Sequence, residues 1–205
     1  MQIIPVIAIL IISVIIHEIA HGYAALAQGD PTAKLAGRLT LNPLAHLDPL
    51  GSVLVPLALF ALGGVIFGWA KPVPFNPYNL RNQKWGPAIV AIAGPISNFL
   101  IALIFAFILR FTALATLISP AAFQLLLLVV LLNLTLAIFN LIPIAPLDGS
   151  KILFALIPYR YRHLEQWLER NQLILFIILI VLIANTNLLD KVVFGLFSWL
   201  TGVTV

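Results

Sequence analysis

The sequence contains no cysteine, which excludes a disulfide framework and any metal site built on thiolates. Charged residues are also scarce, at 9% of the 205 residues, while 62% of the residues are hydrophobic. A soluble domain typically has about 25% charged and about 45–50% apolar residues. We therefore expect an integral membrane protein, in which any metal ion is held by His, Asp, Glu or backbone groups.

The formal net charge is only +4, which is too small to indicate a nucleic-acid partner. In a membrane protein, the basic residues instead indicate how the loops are oriented relative to the bilayer. We therefore expect the lipid bilayer, and no nucleic acid, among the partners of this chain.

Residues 3–27 form the first long hydrophobic segment. About 20 consecutive apolar residues are enough to cross a bilayer as a helix. The segment has no basic n-region, and cleavage near Ala24 would remove the two histidines and the glutamate within it. We therefore expect a membrane helix here rather than a signal peptide.

Further hydrophobic runs predict more membrane helices. We expect an all-α fold: one domain, residues 1–205, forming a polytopic helical bundle with about 4–6 transmembrane helices. The clearest runs are 87–109, which is interrupted at 94–98, and 121–142; residues 173–184 span only with their flanking residues, and 192–205 are short for a span.

Two segments predict extended backbone within this helical protein. Residues 33–41 partly alternate apolar and polar side chains, which favours a strand. Residues 70–77 contain Pro72, Pro74 and Pro77, which exclude a helix and favour an extended chain. The bundle is therefore expected to carry a short β-like or re-entrant element.

Residues 50–69 are hydrophobic but contain Pro56 and a glycine pair, so they either cross the membrane or enter it and return to the same side. If they return, every Lys and Arg except Arg110 and Lys191 falls in loops on one side, which obeys the positive-inside tendency better than a full crossing. We expect a re-entrant segment, an external N-terminus and a site reached from the cytoplasmic side.

Three ionisable side chains lie in the first hydrophobic segment, in the pattern H-E-x-x-H at 17–21. His17 and His21 are four residues apart, so on a helix they lie on one face, about 40° apart around the axis. Two imidazoles at this spacing bind one zinc ion in many zinc proteases, and Glu18 can act as the base without being a ligand. The alternative is two core histidines and a neutralised glutamate, which is disfavoured because such groups are costly in lipid.

A catalytic zinc ion generally takes three protein ligands, so a third must come from elsewhere in the chain. Asp148 stands out because it follows a hydrophobic run broken by prolines, and Gly149 allows the backbone to bend beside it. His46 with Asp48 is the rival ligand set. Capping of a short helix at 150–156 is the alternative role for Asp148.

Taken together, these motifs resemble a known family. H-E-x-x-H at 17–21 is accompanied by N-x-x-P-x-x-P-L-D-G at 140–149 and by G-P-I-S-N at 94–98. The sequence is similar to the site-2 proteases, the intramembrane zinc metalloproteases of peptidase family M50. It lacks a large PDZ insertion and a CBS-like tail, so the resemblance is to a minimal form of the family.

The resemblance implies one zinc ion per chain, with His17, His21 and Asp148 as its ligands. It implies Glu18 as the catalytic acid and base. It also implies a transmembrane protein as the substrate.

Three further assignments follow from the resemblance. Asn140 resembles a family asparagine that helps to bind the substrate backbone or the oxyanion, and Asn98 is a weaker match near the substrate or in helix packing. For both asparagines the alternative is an interhelical hydrogen bond, worth about 1 kcal/mol in membranes. Residues 70–75 resemble an extended element that pairs with substrate as an added strand.

The sequence thus predicts a zinc-dependent intramembrane endopeptidase that cleaves transmembrane segments by metal-activated water, in a multi-pass protein of the cell membrane. One alternative is a small transporter or ion-binding protein that uses His17, Glu18 and Asp148 as a relay, although no inverted repeat is visible. The other is a zinc-binding pseudoprotease. The oligomeric state and the substrate stay open.

Overall fold

The computed structural model describes residues 3–48, 71–111 and 118–203, together with the single positions 51 and 54. Regular secondary structure in these residues is entirely helical, which confirms the expected all-α class. The α-helices among them are α1 (Ile3–Ala27), α2 (Thr32–Leu35), α3 (Gly86–Phe111), α4 (Pro120–Asn140), α5 (Asp148–Leu156), α6 (Arg162–Arg170), α7 (Gln172–Thr186) and α8 (Leu188–Thr201).

Three of these helices, α1, α3 and α4, are long and apolar enough to cross a membrane. A fourth crossing is formed if α6 with its preceding turn and α7 count as one span, although the two are bent by 70°. The described residues therefore contain the polytopic helical bundle that the hydrophobic runs predict.

Helix α3 lies at the centre of the bundle, where it packs against α1, α4 and α5. Small side chains on α3 let the neighbouring helices approach closely, as is usual for helices packed in membranes. One core cluster joins α3, α4 and α8 through Ala102, Ala106, Leu109, Val130, Leu134, Val193, Phe197 and Leu200.

Local signals account for two of the helix ends. Ser119 precedes α4, and its hydroxyl accepts the Ala122 N–H at 3.3 Å, while Pro120 occupies the first helical position. Helix α1 ends before Gly29, which has a left-handed φ of +102° that glycine adopts without strain.

The predicted interruption at 94–98 is wrong, because α3 runs continuously through Pro95. A proline removes one backbone hydrogen bond, which a long membrane helix tolerates when neighbouring groups satisfy the freed carbonyls. In the same turn, the Ser97 hydroxyl donates to the Gly94 carbonyl at 2.7 Å.

The predicted strand at 33–41 is also wrong, since Thr32–Leu35 forms the short helix α2. The carboxylate of Asp30 accepts the Thr32 N–H at 3.2 Å and so fixes the turn just before this helix. Gly37, with φ +65°, then reverses the chain. These turn-forming contacts determine the backbone conformation here more strongly than a brief alternation of apolar and polar side chains.

Residues 71–76 form neither helix nor strand, and their prolines exclude the helix. The predicted re-entrant segment at 50–69 lies, apart from positions 51 and 54, outside the described residues. After α4, the chain turns through residues 141–147, and α5 begins at Asp148 itself.

Candidate metal centre

Side chains in the middle of α1 and at the start of α5 meet at one point. Nε2 of His17 lies 3.1 Å from Oδ2 of Asp148, and Nε2 of His21 lies 3.3 Å from the same oxygen. Among the described residues, this is the one group of three or more His, Asp or Glu side chains whose ligand atoms all lie within 4.8 Å of one another. The structure thus brings together the three residues that the sequence predicts as metal ligands.

A buried polar network holds the ring of His17. Its Nδ1 lies 2.6 Å from Oδ1 of Asn98. The Asn98 amide nitrogen donates to Oδ1 of Asn133 at 2.9 Å, and the Asn133 amide donates to the Ser13 hydroxyl at 2.9 Å. Because the Asn98 nitrogen is already donating, its oxygen faces the ring and accepts the proton on Nδ1.

The ring of His21 is held in an equivalent way by the backbone of α3. Its Nδ1 lies 2.7 Å from the Val90 carbonyl oxygen, which can only accept a hydrogen bond. In both rings, therefore, Nδ1 carries a proton, and when the ring is neutral Nε2 presents a lone pair. The two lone pairs face Oδ2 of Asp148.

This arrangement fits a bound cation. Oδ2 of Asp148 is buried and has no hydrogen-bond donor. The contacts to the two histidines would be ion pairs only if a ring carried a second proton, on Nε2. With neutral rings, three acceptor atoms converge without a donor, an arrangement that a metal ion between them would stabilise. Two imidazole nitrogens and one carboxylate oxygen also form a usual ligand set for catalytic zinc.

Two glycines make room for the site. A Cβ at Gly94 would lie 2.5 Å from Nε2 of His21 and 2.6 Å from the His17 ring, so α3 can carry no side chain there. A Cβ at Gly149 would lie 2.3 Å from the Leu141 carbonyl oxygen. These close approaches explain why glycine stands beside the histidine rings and beside Asp148.

Glu18 lies outside the three-residue group and has a partner of its own. Its Oε2 accepts a hydrogen bond from the Val73 N–H at 2.7 Å. Val73 belongs to the proline-containing segment 71–76, and its side chain is buried. An irregular segment outside the membrane helices therefore holds the carboxylate next to the candidate metal ligands.

The remaining sequence candidates lie elsewhere. Asn140, at the end of α4, donates to the Leu136 carbonyl at 2.9 Å, and its role toward substrate stays a prediction. Nε2 of His46 lies 2.8 Å from the Thr40 carbonyl oxygen, in a short 3-10 turn. His46 and Asp48 do not join a three-ligand group within the part of the chain that the structure describes.

Sequence reasoning missed Asn133, Ser13 and Val73 as supports of the site. The first two carry a recognisable signal, because polar side chains in otherwise apolar membrane helices usually bond to one another. The amide of Val73 carries no such signal, because any residue except proline has an N–H.

Comparison with known proteins gives consistent matches. The sequence matches the model of Peptidase family M50 over residues 5–125 and 115–184. It is 40% identical over 177 residues to "Putative zinc metalloprotease YwhC" of Bacillus subtilis, which covers 84% of this chain and 78% of that protein. It is 32% identical over 197 residues to "Putative zinc metalloprotease Rip2" of Mycolicibacterium smegmatis, which covers 95% of this chain and 71% of that protein. No solved structure matches the chain significantly.

Proposed function

The chain belongs to peptidase family M50, the site-2 protease family, and from this membership we propose that it is a zinc-dependent intramembrane endopeptidase that cleaves transmembrane segments of other membrane proteins. Family membership and the names of its relatives make it a metalloprotease. The intramembrane substrate and the roles of individual residues are the parts that we propose.

In the proposed enzyme, His17, His21 and Asp148 hold the zinc ion. A zinc ion held there would lower the pKa of water to about 7, as in other zinc enzymes, and would polarise the peptide carbonyl. The observation that carries this assignment is the convergence of two imidazole lone pairs on a buried carboxylate oxygen that has no donor.

Glu18 moves the proton in this proposal. Its Oε2 is engaged by the Val73 N–H, so we assign Oε1 as the atom that takes a proton from the attacking water. The same carboxyl group then gives the proton to the leaving amine nitrogen. Hydrolysis places the hydroxyl group on the carbonyl carbon and the proton on nitrogen, so Glu18 ends the cycle as a carboxylate.

Asn140 and residues 70–75 are proposed to act on the substrate, on the basis of the family resemblance. A hydrogen bond from Asn140 to the oxyanion would stabilise the transition state by about 3 kcal/mol, a typical value for one such donor. Its amide now donates to the Leu136 carbonyl, so it must turn to reach a substrate. Strand pairing with 70–75 would keep a substrate extended, which exposes the peptide bond that a helix shields.

The membrane setting supports a substrate within the bilayer. His17 and His21 lie inside α1, one of three helices able to cross a membrane. We propose one domain over residues 1–205, several crossings of the cell membrane and access from the cytoplasmic side, because the basic loop residues favour that orientation. External labelling of a cysteine introduced near Asn79 would contradict this orientation and the re-entrant version of 50–69.

A comparison of wild type with Glu18→Gln tests the function. We expect about one zinc ion per chain in both proteins by metal analysis, and membrane-protein fragments that appear only with the wild type by quantitative proteomics. Zinc in both proteins with no fragments in either indicates a pseudoprotease. Absence of zinc from the purified wild type contradicts the zinc assignment, and a proton or cation flux that depends on Glu18 indicates the transporter alternative.

A further inference from the structure

We propose that residues 71–76, called the strap from here on, position Glu18 for proton transfer, and that Arg38 and Asp30 are the positioning residues that hold the strap. The proposal rests on the proposed function, because it takes Glu18 as the group that moves the proton. It assigns a role to two buried charged side chains that the metal centre does not use.

The backbone amides of the strap are committed to specific partners. The Lys71 N–H donates to the His46 carbonyl at 2.9 Å, and the Asn76 N–H donates to Oδ2 of Asp30 at 2.6 Å. Between these two, the Val73 N–H donates to Oε2 of Glu18 at 2.7 Å. Residues on both sides of Val73 are prolines, which have no N–H, so the strap has one amide available at this point and it faces Glu18.

Arg38 fixes the carbonyls that come just before this amide. Its guanidinium donates to the Lys71 carbonyl at 2.7 Å and to the Pro72 carbonyl at 3.1 Å, and also to the Ala45 carbonyl. Within the described residues, three backbone carbonyls accept hydrogen bonds from the two terminal nitrogens of this buried cation, and its Nε has no hydrogen-bond partner. Burial of a guanidinium is costly, and its fork-shaped set of donors suits several fixed acceptors in a way that a lysine does not.

Asp30 fixes the other end of the strap. It is fully buried and, besides the Asn76 N–H, accepts hydrogen bonds from the Asn79 side chain at 2.9 Å and from the Thr32 hydroxyl at 2.5 Å. Asp30 follows closely on the end of α1, the helix that carries Glu18. Its contacts therefore tie the strap to the same helix as the group that the strap positions.

Side-chain packing fixes the strap against α1 as well. Gly22 lies one helical turn after Glu18, on the same side of the helix. A Cβ at Gly22 would lie 3.1 Å from Cγ1 of Val73 and 2.4 Å from Cδ2 of Leu39. The absence of a side chain at Gly22 lets Val73 pack directly on α1, where its amide reaches Glu18.

These contacts matter because a free glutamate side chain samples many rotamers. A catalytic group that is held within a fraction of an ångström of its working position spends no time in unproductive rotamers. Even a small displacement from that position reduces the rate strongly. Arg38 and Asp30 carry opposite charges, yet each bonds to the strap rather than to the other. The two charges thus fix a short piece of backbone whose central amide bonds to Glu18.

Amide hydrogen exchange tests the contact without any substrate. The full-length protein is purified in detergent and measured with and without zinc. Glu18→Ala should speed exchange at Val73 by about tenfold or more, with Lys71 unchanged, because one charge-assisted hydrogen bond is lost. Arg38→Lys should speed exchange at Val73, whereas the matched exposed control Arg81→Lys should not. Equal exchange at Val73 in wild type and Glu18→Ala overturns the proposal.

Cleavage kinetics test the positioning role. The probe is a membrane peptide that the wild type cleaves and Glu18→Gln does not. Val73→Pro removes the N–H from a residue already restricted to extended conformations by the following proline, whereas Val73→Ala keeps the N–H and removes packing. We expect Val73→Pro to lower kcat about tenfold or more with zinc content close to wild type. Val73→Ala should lose much less kcat, and any weaker pairing of 70–75 with the substrate should show in KM instead.

The outcomes distinguish a failure of the positioning role from a failure of the proposed function. Equal losses in Val73→Pro and Val73→Ala, or a change in KM alone, contradict positioning through the amide. If Val73→Pro fails to fold, Arg38→Lys is used in the same assay, and an unchanged kcat contradicts the proposal. If no peptide is cleaved by the wild type and left intact by Glu18→Gln, the proposed function fails. Hydrogen exchange then still decides whether the strap holds Glu18.

Discussion

His17 and Glu18 are neighbours in sequence, yet two different kinds of structure hold them. The ring of His17 is fixed by side chains from packed membrane helices, through Asn98 on α3 and Asn133 on α4. The carboxylate of Glu18 is fixed by one backbone amide of an irregular segment, at Val73. Adjacent residues on one helix therefore depend on separate parts of the fold.

The difference indicates that separate parts of the fold support the proposed metal ligands and the proposed proton-transfer group. Contacts inside the helical bundle orient the proposed zinc ligands, so changes there should reduce zinc affinity. Contacts of the strap orient Glu18, so changes there should reduce the rate and leave zinc in place. A folded variant in which zinc affinity and rate are reduced equally would contradict this independence.

The largest effect is expected for Asp148→Asn, on the helix side of the comparison. An amide in place of the carboxylate removes the charge of a proposed ligand, so we expect zinc affinity to fall by at least about 100-fold, more than is typical for supporting residues. Metal analysis after dialysis measures this. Asp190→Asn, at an exposed position on α8, is the matched control and should keep its zinc. Full zinc retention in Asp148→Asn would exclude Asp148 as a ligand.

Gly94→Ala should come next. Its Cβ would lie 2.5 Å from Nε2 of His21, so the ring or α3 must shift and zinc binding should be lost or strongly reduced. A Cβ added at Gly195 in α8 would meet no atom of the described residues within 4 Å, so Gly195→Ala should keep zinc and raise the free energy of unfolding by about 0.5–1 kcal/mol. Metal analysis and thermal melting distinguish the two. Similar zinc contents in both variants would contradict the close packing at Gly94.

A smaller, graded effect is expected along the buried network. Asn98→Ala removes the acceptor for the proton on Nδ1 of His17, and loss of such a supporting hydrogen bond typically weakens metal binding about 10–100-fold. Asn133→Ala acts one hydrogen bond further away and should weaken zinc binding less. Competition with a zinc chelator gives both affinities. An order reversed from this one would show that Asn133, not Asn98, orients the ring.

The smallest effect is expected at Asp30, which supports the strap. Burial acts to raise its pKa, but hydrogen bonds from Thr32, Asn79 and Asn76 outweigh this and hold the pKa below its ordinary value. Because the folded-state pKa is the lower one, Asp30 stabilises the protein above the unfolded-state value of about 3.9, and this contribution is lost as pH falls through the folded-state pKa. Zinc-free wild type should therefore lose melting temperature more steeply below about pH 4 than Asp30→Asn. Parallel curves would contradict this contribution.

Much of the helical part of the site follows from the sequence because its signals are local. Four-residue spacing places His17 and His21 on one face, and long apolar runs predict α1, α3 and α4 with small errors at their ends. Asp148 is predicted by its position after a proline-broken run. Its meeting with the histidines follows from chemistry, since a zinc ion needs a third ligand.

The rest depends on contacts between distant parts of the chain, which no local pattern reports. His17 and Asn98 are 81 residues apart, and Ser13 and Asn133 are 120 apart. The hold of Val73 on Glu18 uses a backbone amide, which has no side-chain signal. The strand expected at 33–41 failed for a different reason, because Asp30 accepts the N–H of Thr32 only two residues later, in a local turn that the side-chain alternation does not report.

X-ray absorption at the zinc edge of the purified protein is the most direct test of the proposed metal centre. We expect two imidazole nitrogens and carboxylate or water oxygens around one zinc ion, with zinc–nitrogen distances of about 2.0–2.1 Å. The same measurement on Asp148→Asn should show an altered shell or no zinc. A protein without bound zinc, or an identical shell in wild type and Asp148→Asn, would contradict the assignment of His17, His21 and Asp148 as the metal centre.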